Sequence, residues 1–343
     1  MGVTWTEAEN CLDDAVKELF QNPTTRAVGI GPHGDGYGFH VIRNTAKITP
    51  MAATFGIAQT MIAPAMIRNV PVSIFDRHAE VEAHIRLPFS GPGSPGVASL
   101  VPEQLQHTPV VCGLQIENYD DDIRTGTIAG GHIIVGSIGC FVVLPSGHTA
   151  ILSNNHVVAG ENRGLDGTDR IMQPGNGTAA NQIATLTTHV ALVPSPTGAT
   201  PASGGVTLND VDAGVATLLD SVTFRQDYLS TRKVAPPSGW AVPALHDEVY
   251  KVGRTTGLTL GTVTSVSTVV GPILYAPGEC WFRRTITIEG KDGTMFSDHG
   301  DSGSAIIKSS TGQVIGLLFA GNGTDTFACP IDAVLGAFNC RIA

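Results

Sequence analysis

The sequence is poor in charged and aromatic side chains and has no long apolar run. Charged residues make up 15% and aromatic residues 6% of the 343 residues, and the net charge is −10. An acidic chain is repelled by nucleic acid and by anionic membranes, so we expect neither as a partner. No apolar run approaches the roughly 18 residues that a membrane-spanning helix needs, so we expect no transmembrane helix.

Cysteine is also scarce, and the patterns of export and of metal binding are missing. The six cysteines are scattered and do not form the pairs that metal sites use. The N-terminus has no basic start followed by an apolar core, so we expect no secretion signal. Sparse thiols in such a chain are typical of a reducing compartment. We therefore predict a cytoplasmic location and neither a metal nor a cofactor; a disulfide between Cys280 and Cys329 is the alternative to reduced thiols.

Glycine and proline are abundant instead, with 41 and 21 residues. This composition favours many turns and short strands over long helices. From Gly131 onward, short β-branched runs alternate with turns, and the late apolar stretch "PIDAVLGAF" predicts a closing helix. The pattern is typical of an antiparallel barrel or sandwich, so we expect a mainly β domain over residues 131–343.

The first part of the chain has a different pattern. Thr6 and Glu9 match a capping box, and apolar residues follow at helical spacing, which predicts a helix over residues 6–20. Two β-like runs around a glycine-rich turn come next, then a second helix at 51–63 and a further strand pair. We predict a small α+β domain over residues 1–86.

Residues 87–130 are interpreted as a linker, because their first half is rich in proline, glycine and serine. Asp120, Asp121 and Asp122 form an acidic run within this range. We interpret the run as a solvated turn. A calcium site is the alternative, although the spacing fits no EF-hand loop.

Three separated segments carry residue types that could act together. His156 follows an apolar strand in "AILSNNHVVAG", Asp212 opens an apolar run in "LNDVDAGVATL", and Ser302 lies between glycines in "HGDSGSAII". A serine hydroxyl needs a neighbouring base to become a nucleophile, and histidine suits that role because its pKa lies near neutrality. A carboxylate holds the imidazole in one tautomer and stabilises its positive charge. Asp210 is the rival carboxylate, and a purely structural role is the alternative for each segment taken alone.

The glycines beside Ser302 have a further consequence. Gly300 and Gly303 allow a turn sharp enough to direct the amides of Gly300 and Ser302 to one point. Backbone N–H groups placed in this way bind the oxyanion that forms when a serine attacks a carbonyl group. We therefore predict an oxyanion hole made by Gly300 and Ser302.

The order of these residues, together with "SNNHVV", "DAGVA", "GDSGS" and "VIGLLFAG", resembles the trypsin/chymotrypsin superfamily. With "IMQPG", "NQIATL" and "KVGRTTGLT", the chain more closely resembles bacterial trypsin-like peptidases related to the plant Narrow leaf proteases. The resemblance implies a chymotrypsin-like double β-barrel over residues 131–343, preceded by the small α+β domain as part of the native architecture. It also implies that His156, Asp212 and Ser302 are the catalytic residues.

Further roles follow from the same resemblance. Phe319, Ala320 and Gly321 lie on the strand that pairs with the substrate backbone in the family. Lys251 takes the place of a basic residue that pairs with Asp301 and orders the oxyanion loop. The alternative for Lys251 is an ordinary exposed strand residue.

Phe319 stands where many relatives have a serine that supports the catalytic aspartate. Either the aspartate loses one hydrogen bond, or backbone amides and Asn209 replace it. The resemblance places the walls of the specificity pocket at about 294–298, 319–321 and 326–328. No lone acidic residue stands clearly at the base of this pocket, although Asp298 and Asp325 are near, which favours small or apolar substrate side chains.

We therefore predict an intracellular serine endopeptidase that cleaves protein or peptide substrates through an acyl-enzyme. A protease-fold binding or scaffolding protein with little turnover is the alternative, and an esterase that uses the same triad is a third interpretation. Whether the protein forms a homo-oligomer stays open.

Overall fold

The computed structural model describes residues 2–45, 64–83, 86–88, 101–127, 132–175 and 178–343. The α-helices of these residues are α1 (Trp5–Asn10), α2 (Leu12–Leu19), α3 (Tyr119–Arg124), α4 (Asn155–Val158) and α5 (Ile331–Phe338). None of the helices in this part of the chain is long and apolar enough to cross a membrane. The closing helix predicted from "PIDAVLGAF" is α5, whereas the helix predicted at 51–63 lies outside the described residues.

The helix predicted over residues 6–20 is in fact two helices, and its cap lies two residues earlier than expected. Thr4 is the N-cap of α1: its side chain accepts from the Glu7 amide, and the Glu7 carboxylate accepts from the Thr4 amide at 2.8 Å. Glu9, expected in the capping box, instead accepts from the indole N–H of Trp5 at 3.1 Å. The pairs Thr4–Glu7 and Thr6–Glu9 both match the pattern, and the extended backbone at Thr4 selects the first.

Two sheets contain the described strands. The first has nine strands in the order β21-β9-β10-β14-β12-β11-β7-β8-β6. They are β6 (Arg86–Pro88), β7 (Gln115–Asn118), β8 (His132–Ser137), β9 (Cys140–Val143), β10 (Thr149–Ser153), β11 (Arg170–Met172), β12 (Gln182–His189), β14 (Gly214–Leu218) and β21 (Arg341–Ile342).

The second sheet has twelve strands in the order β13-β17-β20-β19-β18-β15-β16-β1-β2-β4-β3, and β5 pairs with β19. They are β1 (Thr25–His33), β2 (Gly36–Asn44), β3 (Met66–Ile67), β4 (Val70–Arg77), β5 (Glu82–Ala83), β13 (Leu208–Asn209), β15 (Glu248–Gly253), β16 (Gly257–Tyr275), β17 (Gly278–Gly290), β18 (Ala305–Lys308), β19 (Val314–Gly321) and β20 (Asp325–Pro330). An additional β16–β17 pairing closes β15 to β20 into a ring, which leaves no open edge within that ring.

The predicted mainly β, chymotrypsin-like double β-barrel fold is confirmed by these two sheets. One continuous apolar cluster joins them, with Phe141 from the first sheet and Phe282 and Phe319 from the second fully buried. Such a shared core fixes the two sheets against each other, because apolar area buried between them is lost to water if they separate.

The N-terminal α+β part extends the second sheet. β1 pairs antiparallel with β16, with Ala27 opposite Val270 and Val28 opposite Val269. The buried face of α2 packs against β1 and β2 in a cluster that also takes in Trp281 of the barrel. The β segments that the resemblance implied near residues 28, 39 and 70 are β1, β2 and β4.

The range predicted as a linker contains regular structure, so that interpretation is wrong for residues 115–124. β7 pairs with β8 and β11 inside the first sheet, and α3 follows it directly. The acidic run is likewise not a solvated turn: Asp121 and Asp122 are buried in α3, and Arg163 donates to Asp121 at 2.8 Å. The described residues contain no group of three acidic, histidine or cysteine side chains that could hold a metal ion. The division of the chain into domains otherwise stays a prediction.

Candidate active site

His156 and Asp212 form a buried pair at the junction of the two sheets. β10 ends just before α4, which carries His156, and Asp212 lies between β13 and β14. The Asp212 carboxylate accepts from His156 Nδ1 at 2.5 Å and from the His156 amide at 3.2 Å. Both residues have 0% exposure. His156 Nε2 is also buried and has no hydrogen-bond partner among the described residues. The carboxylate thus fixes the ring and leaves Nε2 as the nitrogen available to a nucleophile.

Ser302 lies close to α4, the helix that carries His156. Its carbonyl accepts from the Ser137 amide at 2.7 Å, and a β-carbon added to Gly136 would lie 2.8 Å from that carbonyl oxygen and 2.4 Å from the Val157 side chain. Gly136 is therefore packed between Ser302 and the residue that follows His156. The lack of a side chain at position 136 lets the serine turn and α4 approach each other this closely.

The turn around Ser302 needs glycine at both of the predicted positions. Gly300 has a φ of 95° and Gly303 a φ of 87°, and a β-carbon at Gly303 would lie 2.1 Å from Ser153 Oγ. The Thr255 hydroxyl donates to the His299 carbonyl at 2.5 Å. Because a trans peptide points its C=O and N–H in opposite directions, this bond turns the Gly300 amide away from Thr255. Thr255 therefore fixes the peptide that would supply one oxyanion donor.

Lys251 and Asp301 meet as the resemblance implied, at 3.1 Å with both side chains at 0% exposure. Lys251 is thus not an exposed strand residue. The Asp301 carboxylate also accepts from the Thr255 amide at 2.9 Å and from the Thr256 hydroxyl at 2.7 Å. Burial alone would raise the pKa of Asp301, but the charge of Lys251 and these donors hold it below the ordinary value. Asp301 is therefore ionised, and it ties the turn around Ser302 to the turn after β15.

Tyr275, at the end of β16, is a site residue that the sequence did not reveal. Its hydroxyl donates to Asp212 at 2.9 Å, and the Asp212 amide donates to Cys329 Sγ at 3.3 Å. Burial and the charge of Asp212 raise the pKa of the Tyr275 hydroxyl, so it remains a donor. Tyr275 supplies the hydroxyl support that Phe319 cannot give. The β16–β17 hairpin brings Tyr275 to Asp212, and no sequence motif around Tyr275 indicates this contact.

One expectation near Asp212 does not hold, and the alternative carboxylate does not contact His156. The amide side chain of Asn209 bonds to Val193 and to the Trp281 carbonyl, both at 3.0 Å, and so it is not the predicted replacement for the missing serine. The rival carboxylate, Asp210, is half exposed and accepts from Arg283 at 2.8 Å. Of the two aspartates, Asp212 is the one in contact with His156.

We expect Tyr275→Phe to lower kcat about tenfold, because a hydrogen bond to a charged group contributes roughly 1.5–3 kcal/mol and 1.4 kcal/mol is a factor of ten. KM should not change, since Tyr275 acts through Asp212. Steady-state kinetics on a peptide substrate measures both constants. Tyr228→Phe is the matched control, because Tyr228 is also buried in the core but its ring packs against Tyr250, with the ring centroids 6.4 Å apart. Equal losses of kcat in both variants would contradict this role for Tyr275.

The predicted substrate-binding residues Phe319, Ala320 and Gly321 are all buried on β19. Ala320 and Gly321 are paired with β5, which is part of the same chain. The predicted pocket walls meet where the hydroxyls of Ser297 and Thr326 lie 2.6 Å apart.

All six cysteines are free thiols, including Cys280 and Cys329. Burial raises the pKa of Cys280 to about 12, and burial likewise raises the pKa of Cys329. Neither thiol is therefore a reactive thiolate at neutral pH.

No family model and no curated protein matches the chain. Solved structures do match, and those found are chymotrypsin-like serine proteases. Cellulomonas bogoriensis chymotrypsin is 20% identical with a TM-score of 0.41, and the match covers 60% of this chain and 90% of that one. Thermobifida fusca protease A is 20% identical with a TM-score of 0.41, and the match covers 61% of this chain and 91% of that one. The Nocardiopsis protease is 19% identical with a TM-score of 0.45, and the match covers 68% of this chain and 98% of that one. The likeness is one of fold, and the relation to the plant Narrow leaf proteases stays a prediction.

Proposed function

We propose that the protein is a serine endopeptidase. The observation that carries the proposal is the buried His156–Asp212 pair, with Nδ1 held at 2.5 Å and Nε2 without a partner among the described residues, beside the turn of Ser302. An imidazole held in this way can accept a proton only at Nε2. The adjacent serine turn supplies the hydroxyl that would give that proton.

The proposed reaction has two steps. Ser302 Oγ bonds to the peptide carbonyl carbon while His156 Nε2 takes its proton, and the amides of Gly300 and Ser302 bind the oxyanion. The C–N bond then breaks, the amine leaves with the proton from His156, and an ester to Ser302 remains. Water, deprotonated by His156, hydrolyses that ester and restores the serine.

A peptide substrate is favoured over a simple ester by the edge of β19. Ala320 and Gly321 pair antiparallel with an extended stretch of backbone, Glu82–Ala83. This edge binds a chain through its N–H and C=O groups, and an ester lacks the N–H. A cytoplasmic location stays part of the proposal, and the six free thiols are in keeping with it.

A scaffolding protein with little turnover is the second candidate, and one observation favours it: Ser302 and His156 both have 0% exposure. A serine-directed phosphonate probe separates the two functions. We expect slow labelling at Ser302 that Ser302→Ala abolishes and that the matched control Ser304→Ala retains. Labelling is identified by peptide mass mapping after overnight incubation. A folded protein that stays unlabelled, even after substitutions that release β5 from β19, would contradict the peptidase function.

A further inference from the structure

One stretch of the N-terminal part reaches both sheets at the candidate active site. β5 pairs antiparallel with β19, with Ala83 opposite Ala320 and Glu82 opposite Gly321. Three residues further along, β6 pairs antiparallel with β8 of the first sheet. The chain therefore leaves one sheet and joins the other across the junction between them.

Both of these sheet edges are bonded directly to the serine turn. The Ser137 amide, at the end of β8, donates to the Ser302 carbonyl at 2.7 Å, and the Gly303 amide donates to Leu318 of β19 at 2.9 Å. At about 3.3 Å per residue, the contact at Ala320 lies roughly 7 Å along β19 from Leu318. β5 thus pairs with β19 just beyond its contact with the serine turn, and β6 pairs with β8 up to Ile134, three residues before Ser137. Ser302 itself has 0% exposure.

We propose that Glu80–Ala83, here called the cleft segment, is an intramolecular inhibitor that occupies the peptide-binding edge of β19. The proposal rests on the peptidase function and adds its regulation. An edge strand offers one row of N–H and C=O groups, so it can pair with only one chain at a time. A substrate that adds to Ala320 and Gly321 must therefore first displace the cleft segment.

The cleft segment has the side-chain pattern of a bound peptide. Val81 and Ala83 are buried, at 3% and 7% exposure, while the Glu82 side chain between them is 61% exposed. Glu82 lies 3.9 Å from His299 of the loop before the serine. The alternation of buried and exposed side chains matches an extended chain that lies on one face of a cleft.

Anchors outside the cleft hold the segment in place. Arg26 bonds to Glu80 at 2.6 Å, and Arg77 bonds to Asp325 and to Glu289, both at 2.8 Å. The tether keeps the segment near β19 at an effective concentration in the millimolar range, so weak pairing is enough to compete with substrate.

The pairing is nevertheless short enough to open. Only two residue pairs join β5 to β19, and each hydrogen bond contributes a net 0.5–1.5 kcal/mol or so. Two open clefts border the segment; one is lined by Ala83, Leu274 and Tyr275, and the other by Val81 and Pro272. A competing peptide chain thus has room to approach and to displace the segment.

The test measures peptide binding in the full-length Ser302→Ala protein, where chemistry plays no part. The probe is a fluorescein-labelled peptide with the sequence of residues 77–83, followed by anisotropy. We expect Val81→Asp/Ala83→Asp, which makes burial of the segment costly, to bind the peptide at least about tenfold more tightly than the parent. Glu82→Gln is the matched control on the same segment and should bind as the parent does. The proposal would be overturned if the parent and the Val81→Asp/Ala83→Asp variant bound the peptide with equal affinity, or if neither bound it.

A second variant loosens the segment without changing its buried side chains. Arg26→Glu should increase the hydrogen exchange of the β19 stretch Ala320–Gly321, and the charge swap Arg26→Glu/Glu80→Arg should reverse this increase. If hydrogen exchange at Ala320 and Gly321 were unchanged both in Arg26→Glu and in Val81→Asp/Ala83→Asp, the proposal that the cleft segment is an inhibitor would also be refuted. Phosphonate labelling of the same variants with Ser302 intact tests the peptidase function separately. Increased peptide binding without any labelling would refute the catalytic function. It would still support the proposal that the cleft segment occupies the edge of β19.

Discussion

Asp212→Asn is expected to lower kcat/KM by about 10⁴ while the protein stays folded. The carboxylate accepts from His156 Nδ1 at 2.5 Å, from the His156 amide at 3.2 Å and from the Tyr275 hydroxyl at 2.9 Å. An asparagine must direct its NH₂ group toward one of these donors, which favours the tautomer with the proton on Nε2. That tautomer cannot take a proton from serine, and a loss of this size is what such an exchange costs in a Ser-His-Asp triad.

Asp210→Asn is the matched control for this experiment. Asp210 differs from Asp212 by two positions, but its side chain is 48% exposed and pairs with Arg283 at the surface. Exposed ion pairs contribute little to stability, so this variant should keep its activity within about twofold. Peptide hydrolysis and the free energy of unfolding are measured for both variants. Similar activity of the two would show that the His156–Asp212 contact plays no part in turnover.

Lys251→Met should lower both the turnover and the stability of the protein. The Lys251–Asp301 pair has 0% exposure on both sides. Removing one partner of a buried pair costs about 3–5 kcal/mol, because the other charge is left without compensation. The oxyanion loop depends on Asp301, so the loss should also appear in kcat. Urea unfolding and steady-state kinetics measure the two effects.

The pH dependence of unfolding tests the cause of this loss. In the native protein the pKa of Asp301 lies below the ordinary pKa of an aspartate. Ionised Asp301 therefore stabilises the fold at every pH above that ordinary pKa. This stabilisation is lost as the pH falls through the lower pKa that Asp301 has in the native protein. Without Lys251, burial raises the pKa of Asp301, so the variant should lose stability as the pH rises above about 4. The double variant Lys251→Met/Asp301→Asn removes the unpaired charge and should abolish that slope. A slope that persists in the double variant would contradict this explanation.

The sequence predicted local patterns better than it predicted long-range pairing. His156 and Asp212 were identifiable because their surrounding motifs are short and continuous, and the two residues are in contact. Tyr275 was missed because its contact with Asp212 spans 63 positions and depends on the register of the β16–β17 hairpin. Thr255 was missed for a related reason: a threonine in a turn has many partners available, and only the fold determines which carbonyl it meets.

The same limit explains the error over residues 115–124. Gln115–Asn118 is a four-residue strand with polar residues, and its burial comes from the strands on either side of it. The acidic run that follows was interpreted as solvated because its arginine partners are distant in sequence. Arg163 lies 42 positions from Asp121, and no local pattern connects the two.

The pairing of β1 with β16 has a practical consequence for cutting the chain. A fragment that began at residue 131 would keep the serine, histidine and aspartate but would leave the stretch of β16 around Val269 and Val270 without its neighbour. It would also uncover Trp281, which Phe20 now contacts edge-on at 5.1 Å, and it would lack β7. A bare β edge next to exposed apolar rings is a template for self-association. A fragment without such an edge therefore has to include the N-terminal strands β1 to β4, even though these strands supply none of the three side chains of the proposed triad.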